Sequence, residues 1–183
     1  TGPAGRTAAH IAASWGHEGC LRLLHGFGCD MGQPDRNDWT PALITAHNGH
    51  EDCLRLLHGF GCDVLQVDGS GTTLACAAAG KGHEGCLRLL HGYGCDMGRP
   101  MRGGATPAWI AAHNGHDGCL RLLHEFECDM GQATHGLETT PVFVAAQQGH
   151  ESCLRVLQGF GCDMDRPGTL GGTPVFVAAQ GGH

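Results

Sequence analysis

Histidine and cysteine are the side chains whose type and spacing could do chemistry, with 14 His and 11 Cys in a chain of 183 residues. In four successive segments they follow the pattern His-x2-Cys-x4-His-x3-Cys, first at His17, Cys20, His25 and Cys29. That is close to the spacing with which imidazole and thiolate enclose zinc, provided that all four side chains converge on one point. The residues between them argue otherwise. The leucines between Cys20 and His25 belong to a helical stripe, and five residues of helix rotate a side chain by about 140°, so the two point to different sides. A fifth segment has Gln158 where the second His stands in the others. The pattern therefore predicts Cys20, Cys53, Cys86, Cys119 and Cys153 as small core hydrophobes, and Cys29, Cys62, Cys95, Cys128 and Cys162 in a small-residue slot after a helix-ending turn. A repeated metal store is the weaker alternative, and one equivalent of zinc per segment would establish it. No cofactor is expected. No catalytic set stands out either: Ser14 is a single serine near the first Gly-His, and carboxylates such as Glu18 and Glu51 lie on a surface that recurs, whereas an active site is normally built once.

What must position these residues is a repeat. Gly-His recurs at Gly16-His17, Gly49-His50, Gly82-His83, Gly115-His116, Gly149-His150 and Gly182-His183, with spacings of 33, 33, 33, 34 and 33. A Thr stands ten residues before each His (Thr7, Thr40, Thr73, Thr106, Thr140, Thr173), and in the five complete copies Cys-Leu follows three residues after it. A Cys-Asp pair closes each complete copy, from Cys29-Asp30 to Cys162-Asp163. In the second copy, Thr40-Pro41 is a helix start, because the hydroxyl can cap free amides and proline loses no partner in the first turn. The run from Ala42 to Asn48 gives about two turns before Gly49 ends it. A second helix begins past His50, with Glu51 and Asp52 where the helix dipole favours negative charge. Its apolar positions Cys53, Leu54, Leu56 and Leu57 form one broad stripe. Gly59 and Gly61 stop it, and about ten Gly-, Pro- and Asp-rich residues return as a finger to the next Thr. Ala13, Ala46, Ala79, Ala112, Ala146 and Ala179 let neighbouring helices approach closely. The Gly-His histidines are expected to hold the helix-helix turn through hydrogen bonds to backbone.

Helix, turn, helix and finger in 33 residues, opened by Thr-Pro and divided by Gly-His, resemble the ankyrin repeat. Residues 106–116 (Thr-Pro-Ala-Trp-Ile-Ala-Ala-His-Asn-Gly-His), Leu120-Arg121-Leu122-Leu123 and the finger at residues 68–73 carry the resemblance. It implies an all-α ankyrin-repeat solenoid of stacked helix-turn-helix units with β-turn or hairpin fingers. The whole of 1–183 forms one domain, with repeats at 2–34, 35–67, 68–100, 101–134 and 135–167 and a partial copy at 168–183. There are departures. The family usually has His two residues after the Pro; here only His10 keeps it, and Leu43, Cys76, Trp109, Phe143 and Phe176 replace it, which predicts apolar packing in place of a polar network. The extra residue between the fourth and fifth copies falls near His135 to Glu138 and predicts a longer finger. No polar capping repeat appears at either end, so the sequence reads as an internal piece of a longer array.

Composition narrows the function. A formal charge of −7 with only 11 Lys and Arg argues against a nucleic-acid partner, and no apolar run approaches the roughly 18 residues of a membrane span. Equivalent cysteines in stacked copies should lie about 10 Å apart, beyond a disulfide's reach, which points to a reducing compartment, cytoplasm or nucleus. Arg22, Arg55, Arg88, Arg121 and Arg155 alternate with acidic neighbours as a solvated outer face. The resemblance implies a monomeric module that binds a protein partner through a concave groove of fingers and first helices. Mapped onto this chain, the groove row holds Trp15, Arg36, Asn37, Trp39, His47, Asn48, Lys81, Arg102, His113, Asn114, Gln147 and Gln148. Trp and Arg are common interface anchors, and the repeat provides no internal partner for Trp39. The alternative is the targeting arm of an enzyme whose catalytic domain lies outside these residues.

Overall fold

A computed structural model describes residues 2–183 and the side chains of all of these except Pro3. After a short 3-10 turn at Pro3–Gly5 come eleven α-helices: α1 (Ala8–Ser14), α2 (Glu18–Gly26), α3 (Pro41–Asn48), α4 (Glu51–Gly59), α5 (Leu74–Lys81), α6 (Glu84–Gly92), α7 (Pro107–Asn114), α8 (Asp117–Glu125), α9 (Pro141–Gln147), α10 (Glu151–Gly159) and α11 (Pro174–Gly181). There is no strand among the described residues. The odd-numbered helices pack on one another in order and form a front layer. The even-numbered helices do the same behind them, and each pair within a repeat packs together. The result is the expected all-α solenoid.

The helix boundaries follow from the repeated residues. Thr40, Thr73, Thr106, Thr140 and Thr173 accept a hydrogen bond from the backbone N–H three residues on (Leu43, Cys76, Trp109, Phe143, Phe176), at 3.0–3.3 Å. Pro follows four of the five. At the other end Gly49, Gly82, Gly115 and Gly182 adopt the left-handed conformation that stops the helix, at little cost only for a residue without Cβ. After each even-numbered helix the same conformation recurs at Gly28, Gly61, Gly94 and Gly161, but in the fourth repeat Glu127 takes it, with φ 60°.

The front layer is packed through small residues. Ala13, Ala46, Ala79 and Ala112 have no exposed surface, and Ala146 very little. Ala179 is exposed, on the uncovered side of α11. The back layer is a column of leucines, with Leu21, Leu54, Leu87 and Leu120 all fully buried. Cys53, Cys86, Cys119 and Cys153 are buried with them as expected, whereas Cys20 is exposed. No element among the described residues packs on that side of α2, so Cys20 is not the core residue its position suggests. For the same reason Ile11, Leu23 and Phe27 stand 50%, 62% and 79% exposed.

At three of the five positions that lack the usual His, apolar residues do fill the space, Leu43, Cys76 and Phe143 being buried, whereas Phe176 stands exposed on α11. His10 keeps the polar arrangement. Its Nδ1 accepts from the Thr7 N–H at 3.1 Å and its Nε2–H donates to the Trp39 carbonyl at 2.9 Å. The fifth position, Trp109, joins polar to apolar, because its indole N–H donates to Thr139 Oγ1 at 3.2 Å.

Candidate functional site

The fingers close on themselves by a backbone hydrogen bond from a residue to the carbonyl four further on: Asp35 to Trp39, Asp68 to Thr72, Met101 to Ala105 and Gly168 to Gly172. In the fifth finger the bond runs from Thr134 to Thr139, which places the extra residue between 135 and 138 as the spacing predicts. Asp35 and Asp68 build the second and third fingers from inside. Asp35 accepts from the N–H groups of Asn37 and Trp39 and pairs with Arg6 at 3.2 Å. Asp68 accepts from Ser70 and Thr72. Burial pushes both carboxyls up, but these donors outweigh it and hold them below the usual carboxylate range. Fingers also bond to their neighbours: Arg36 N–H to the Ala4 carbonyl, Arg102 to Ser70, His135 to Gly103 and Thr169 to Leu137.

In four of the Gly-His pairs the histidine works at longer range than its own turn. His50, His83, His116 and His150 reach back one repeat, where Nε2 lies 3.0–3.2 Å from the carbonyls of Ser14, His47, Gly80 and His113. A carbonyl only accepts, so each Nε2 carries the proton. The rings pack beneath Gly16, Gly49, Gly82 and Gly115 of the preceding repeat, so these histidines fasten repeat to repeat. Burial, together with the charges of His116, His50 and Lys81, lowers the His83 pKa despite the bond to the His47 carbonyl.

The remaining histidines and cysteines of the zinc-like pattern go elsewhere. His25, His58, His91 and His124 stack flat on Phe60, Tyr93, Phe126 and Phe160 of the next repeat at 3.7–4.0 Å between ring centres. The Cys-Asp aspartates cap the turns that follow, each accepting from an N–H two residues on at 2.8–2.9 Å. One segment's four side chains thus end in four different places. Burial pushes the Cys86 and Cys119 thiols up to about 12, helped by Glu51 and Glu84 of the preceding repeat. A thiol so protonated is a poor nucleophile at neutral pH. All eleven cysteines are free.

On the front, the residues that vary from repeat to repeat fall into two groups. Arg36, Asn37 and Arg102 stand exposed on fingers, while Trp15, Lys81, Gln147 and Gln148 stand exposed at the ends of first helices. Asn48 and Asn114 spend their amides internally, donating to the carbonyls of Ser14 and Ile110. Trp39 is half-buried and meets His47 edge-on at 5.1 Å, so it does have an internal partner. Two repeats on, Trp109 lies parallel to His113 at 5.2 Å. Sequence reasoning placed Trp109 among packing residues and missed this pair. His113 Nδ1 is buried with no hydrogen-bond partner among the described residues. Sequence reasoning also missed a cleft of about 370 Å³ between the fifth and sixth fingers and the front helices, lined by Leu137, Phe143, Leu170 and Phe176 with Gln147 at its edge. Exposed leucines on two successive fingers were its only sign in the sequence.

The family model for ankyrin repeats matches overlapping stretches at residues 2–68, 43–134, 74–167 and 108–183, and so spans nearly the whole chain. The chain belongs to the ankyrin-repeat family. No curated protein matches it. Ankyrin repeats are generally protein–protein interaction modules and typically non-catalytic. In this ankyrin array no helix among the described residues is long and apolar enough to cross a membrane.

Proposed function

We propose that this ankyrin array binds one protein partner through its front, the surface shared by the fingers and the ends of the first helices. The observation that carries the reading is the contrast in use of side chains. Behind, the recurring histidines are committed to the neighbouring repeat, as in the His50 and His25 series. In front, Arg36, Asn37, Lys81, Arg102 and Gln148 are exposed and differ from copy to copy. Such residues do nothing for folding that the other copies do not manage without. The Trp39–His47 and Trp109–His113 pairs add half-buried aromatic surface of the kind that anchors interfaces. The module acts as a monomer in a reducing compartment, the cytoplasm or nucleus, where its free thiols persist. Affinity capture from the source cell, with mass spectrometry, tests the reading against the double variant Trp39→Ala, Arg36→Ala. Helicity should be unchanged and the captured partner lost; equal capture by both proteins would count against a front-side site.

A further inference from the structure

The cleft between the fifth and sixth fingers differs from the rest of the front. No charged side chain lines it: its apolar walls are Leu137 and Phe143 from the fifth repeat and Leu170, Phe176 and Val177 from the sixth. Three residues before the capping Thr, the second, third and fourth fingers carry Asn37, Ser70 and Gly103, whereas the fifth and sixth carry Leu137 and Leu170. These two leucines stand 62% and 92% exposed. The cleft lies within the joint where α9 packs on α11, not on the uncovered side of α11.

Elsewhere on the front the corresponding positions are filled from within. The residue seven after the capping Thr is His47 in the second repeat, His113 in the fourth, Gln147 in the fifth and Gln180 in the sixth. An indole of this chain lies against each of the two histidines. Trp39, just before Thr40, meets His47 edge-on at 5.1 Å, and Trp109, three residues after Thr106, runs parallel to His113 at 5.2 Å. In the sixth repeat these two indole positions hold Gly172 and Phe176. A side chain would fit at the first, since a Cβ on Gly172 would meet Phe176 and Val177 at 3.5 and 3.6 Å, ordinary contact distances. The cleft is therefore where a ring is missing. Its edge carries the exposed amides of Gln147 and Gln180 in place of imidazoles, each with donors and an acceptor.

We infer that this cleft takes an aromatic side chain, an indole above all, from an extended segment of a protein partner, in the place that Trp39 holds in the second repeat, with Gln147 and Gln180 bonding the segment's backbone. The inference rests on the reading of the front as the binding surface and adds where the partner is anchored and by what. An uncharged lining suits an uncharged ring, because a guanidinium or carboxylate would lose water there without gaining a charged partner. At about 370 Å³ the cleft is near the lower end of ligand pockets, which start at about 300 Å³, so it holds one large side chain. The ring would continue the row of ring-to-helix contacts already made at His47 and His113.

The test is an NMR titration of the full chain, read at the methyl groups of Leu137, Leu170 and Val177, with the blocked peptide Ala-Ala-Trp-Ala-Ala. Peptides with Ala or Arg in place of Trp, and free indole, serve as comparators. The Trp peptide should shift these methyls and bind at least about tenfold more tightly than the Ala peptide. Free indole should bind more weakly than the Trp peptide, lacking the backbone that the two amides hold. Gly172→Trp supplies the ring from within and should abolish binding. Leu170→Ser should weaken it, whereas Leu65→Ser, at an exposed leucine between α4 and α5 that does not line the cleft, should not. Because Leu170 is exposed, its variant keeps the test open should Gly172→Trp fail to fold. Equal binding of the Ala or Arg peptide, free indole binding as tightly as the Trp peptide, shifts confined to the exposed apolar surface around Ile11 and Leu23, or undiminished binding by folded Gly172→Trp would each overturn the inference. If no peptide binds while the Trp39→Ala, Arg36→Ala protein still loses its captured partner, the aromatic occupant is wrong and the front-side interface stands. If capture is also unaffected, both readings fall.

Discussion

The back of the array and its front are made by the same 33-residue unit, yet they use it in opposite ways. Behind, Leu21, Leu54, Leu87 and Leu120 recur with no exposed surface, and each His stacks on the aromatic ring of the next repeat. In front, the position held by Lys81 in the third repeat is Trp15 in the first, Asn48 in the second and Gln148 in the fifth. A position that contributes to nearest-neighbour packing is constrained in every copy, because the stability of a stacked array is close to a sum over its interfaces. Where the front position faces solvent, as at Trp15, Lys81 and Gln148, it is free to differ, whereas Asn48 spends its amide on the Ser14 carbonyl of the preceding repeat.

Substitutions at the two faces should therefore separate stability from binding. The largest effect is expected at Leu87→Ala, which empties a fully buried site in the back layer and should cost about 3 kcal/mol in denaturant unfolding, with partner affinity unchanged well below the transition. Gly49→Ala attacks the joint between the faces. Its φ is 77°, and the new Cβ would lie 2.5 Å from His83 Nδ1; a loss of about 2 kcal/mol is expected from the strain alone, and amide exchange should quicken around the His83–His47 bond. Glu127→Gly works in the other direction. Because Glu127 alone among the equivalent positions bears a Cβ in the left-handed conformation, the change should raise stability by about 1 kcal/mol.

Acid should loosen the same joint. His83 has a folded pKa below its ordinary value, so the unfolded chain binds the extra proton first. Its contribution to stability is complete above the unfolded pKa of about 6.5 and is lost as pH falls through the folded one. His47, lowered by burial and then by Lys81 and His83, acts in the same sense. The melting temperature should drop between pH 7.5 and 5.5, and less so in His83→Asn, which keeps an N–H donor but does not titrate; an identical drop would assign the acid sensitivity elsewhere. The smallest effect on folding is expected at Arg36→Ala, an exposed finger residue with no ion pair among the described residues, where stability should move by less than about 0.5 kcal/mol while binding weakens.

The fold was legible because its signals are local. Thr40 before Pro41, Gly49 after Asn48 and the leucine stripe of α4 each act within a few residues, and the extra residue near His135 is a matter of counting. What escaped was contact between units. That His83 bonds the carbonyl of His47 rather than its own turn depends on how closely repeats stack, which the small alanines permit but do not specify. Trp39 was expected to lack a partner because His47 lies across the helix cap from it, in a finger-to-helix angle that no short window encodes. The stacked rings did leave a trace: His25 and Phe60, His58 and Tyr93, and His91 and Phe126 are each 35 residues apart, two more than the repeat, which is the offset of a contact handed to the next copy.

That offset makes the units interchangeable. Each of the first four complete repeats presents a histidine forward, and repeats two to five each present an aromatic ring backward, so a unit carrying both can be spliced between any two others and find its place on each side. Inserting or deleting one whole unit would leave the rear column unbroken while moving Arg102 and Trp109 nearer to or farther from Arg36 and Trp39 by one helix diameter, about 10 Å. An array built this way can lengthen or shorten its grip in fixed steps without redesigning the parts that hold it upright.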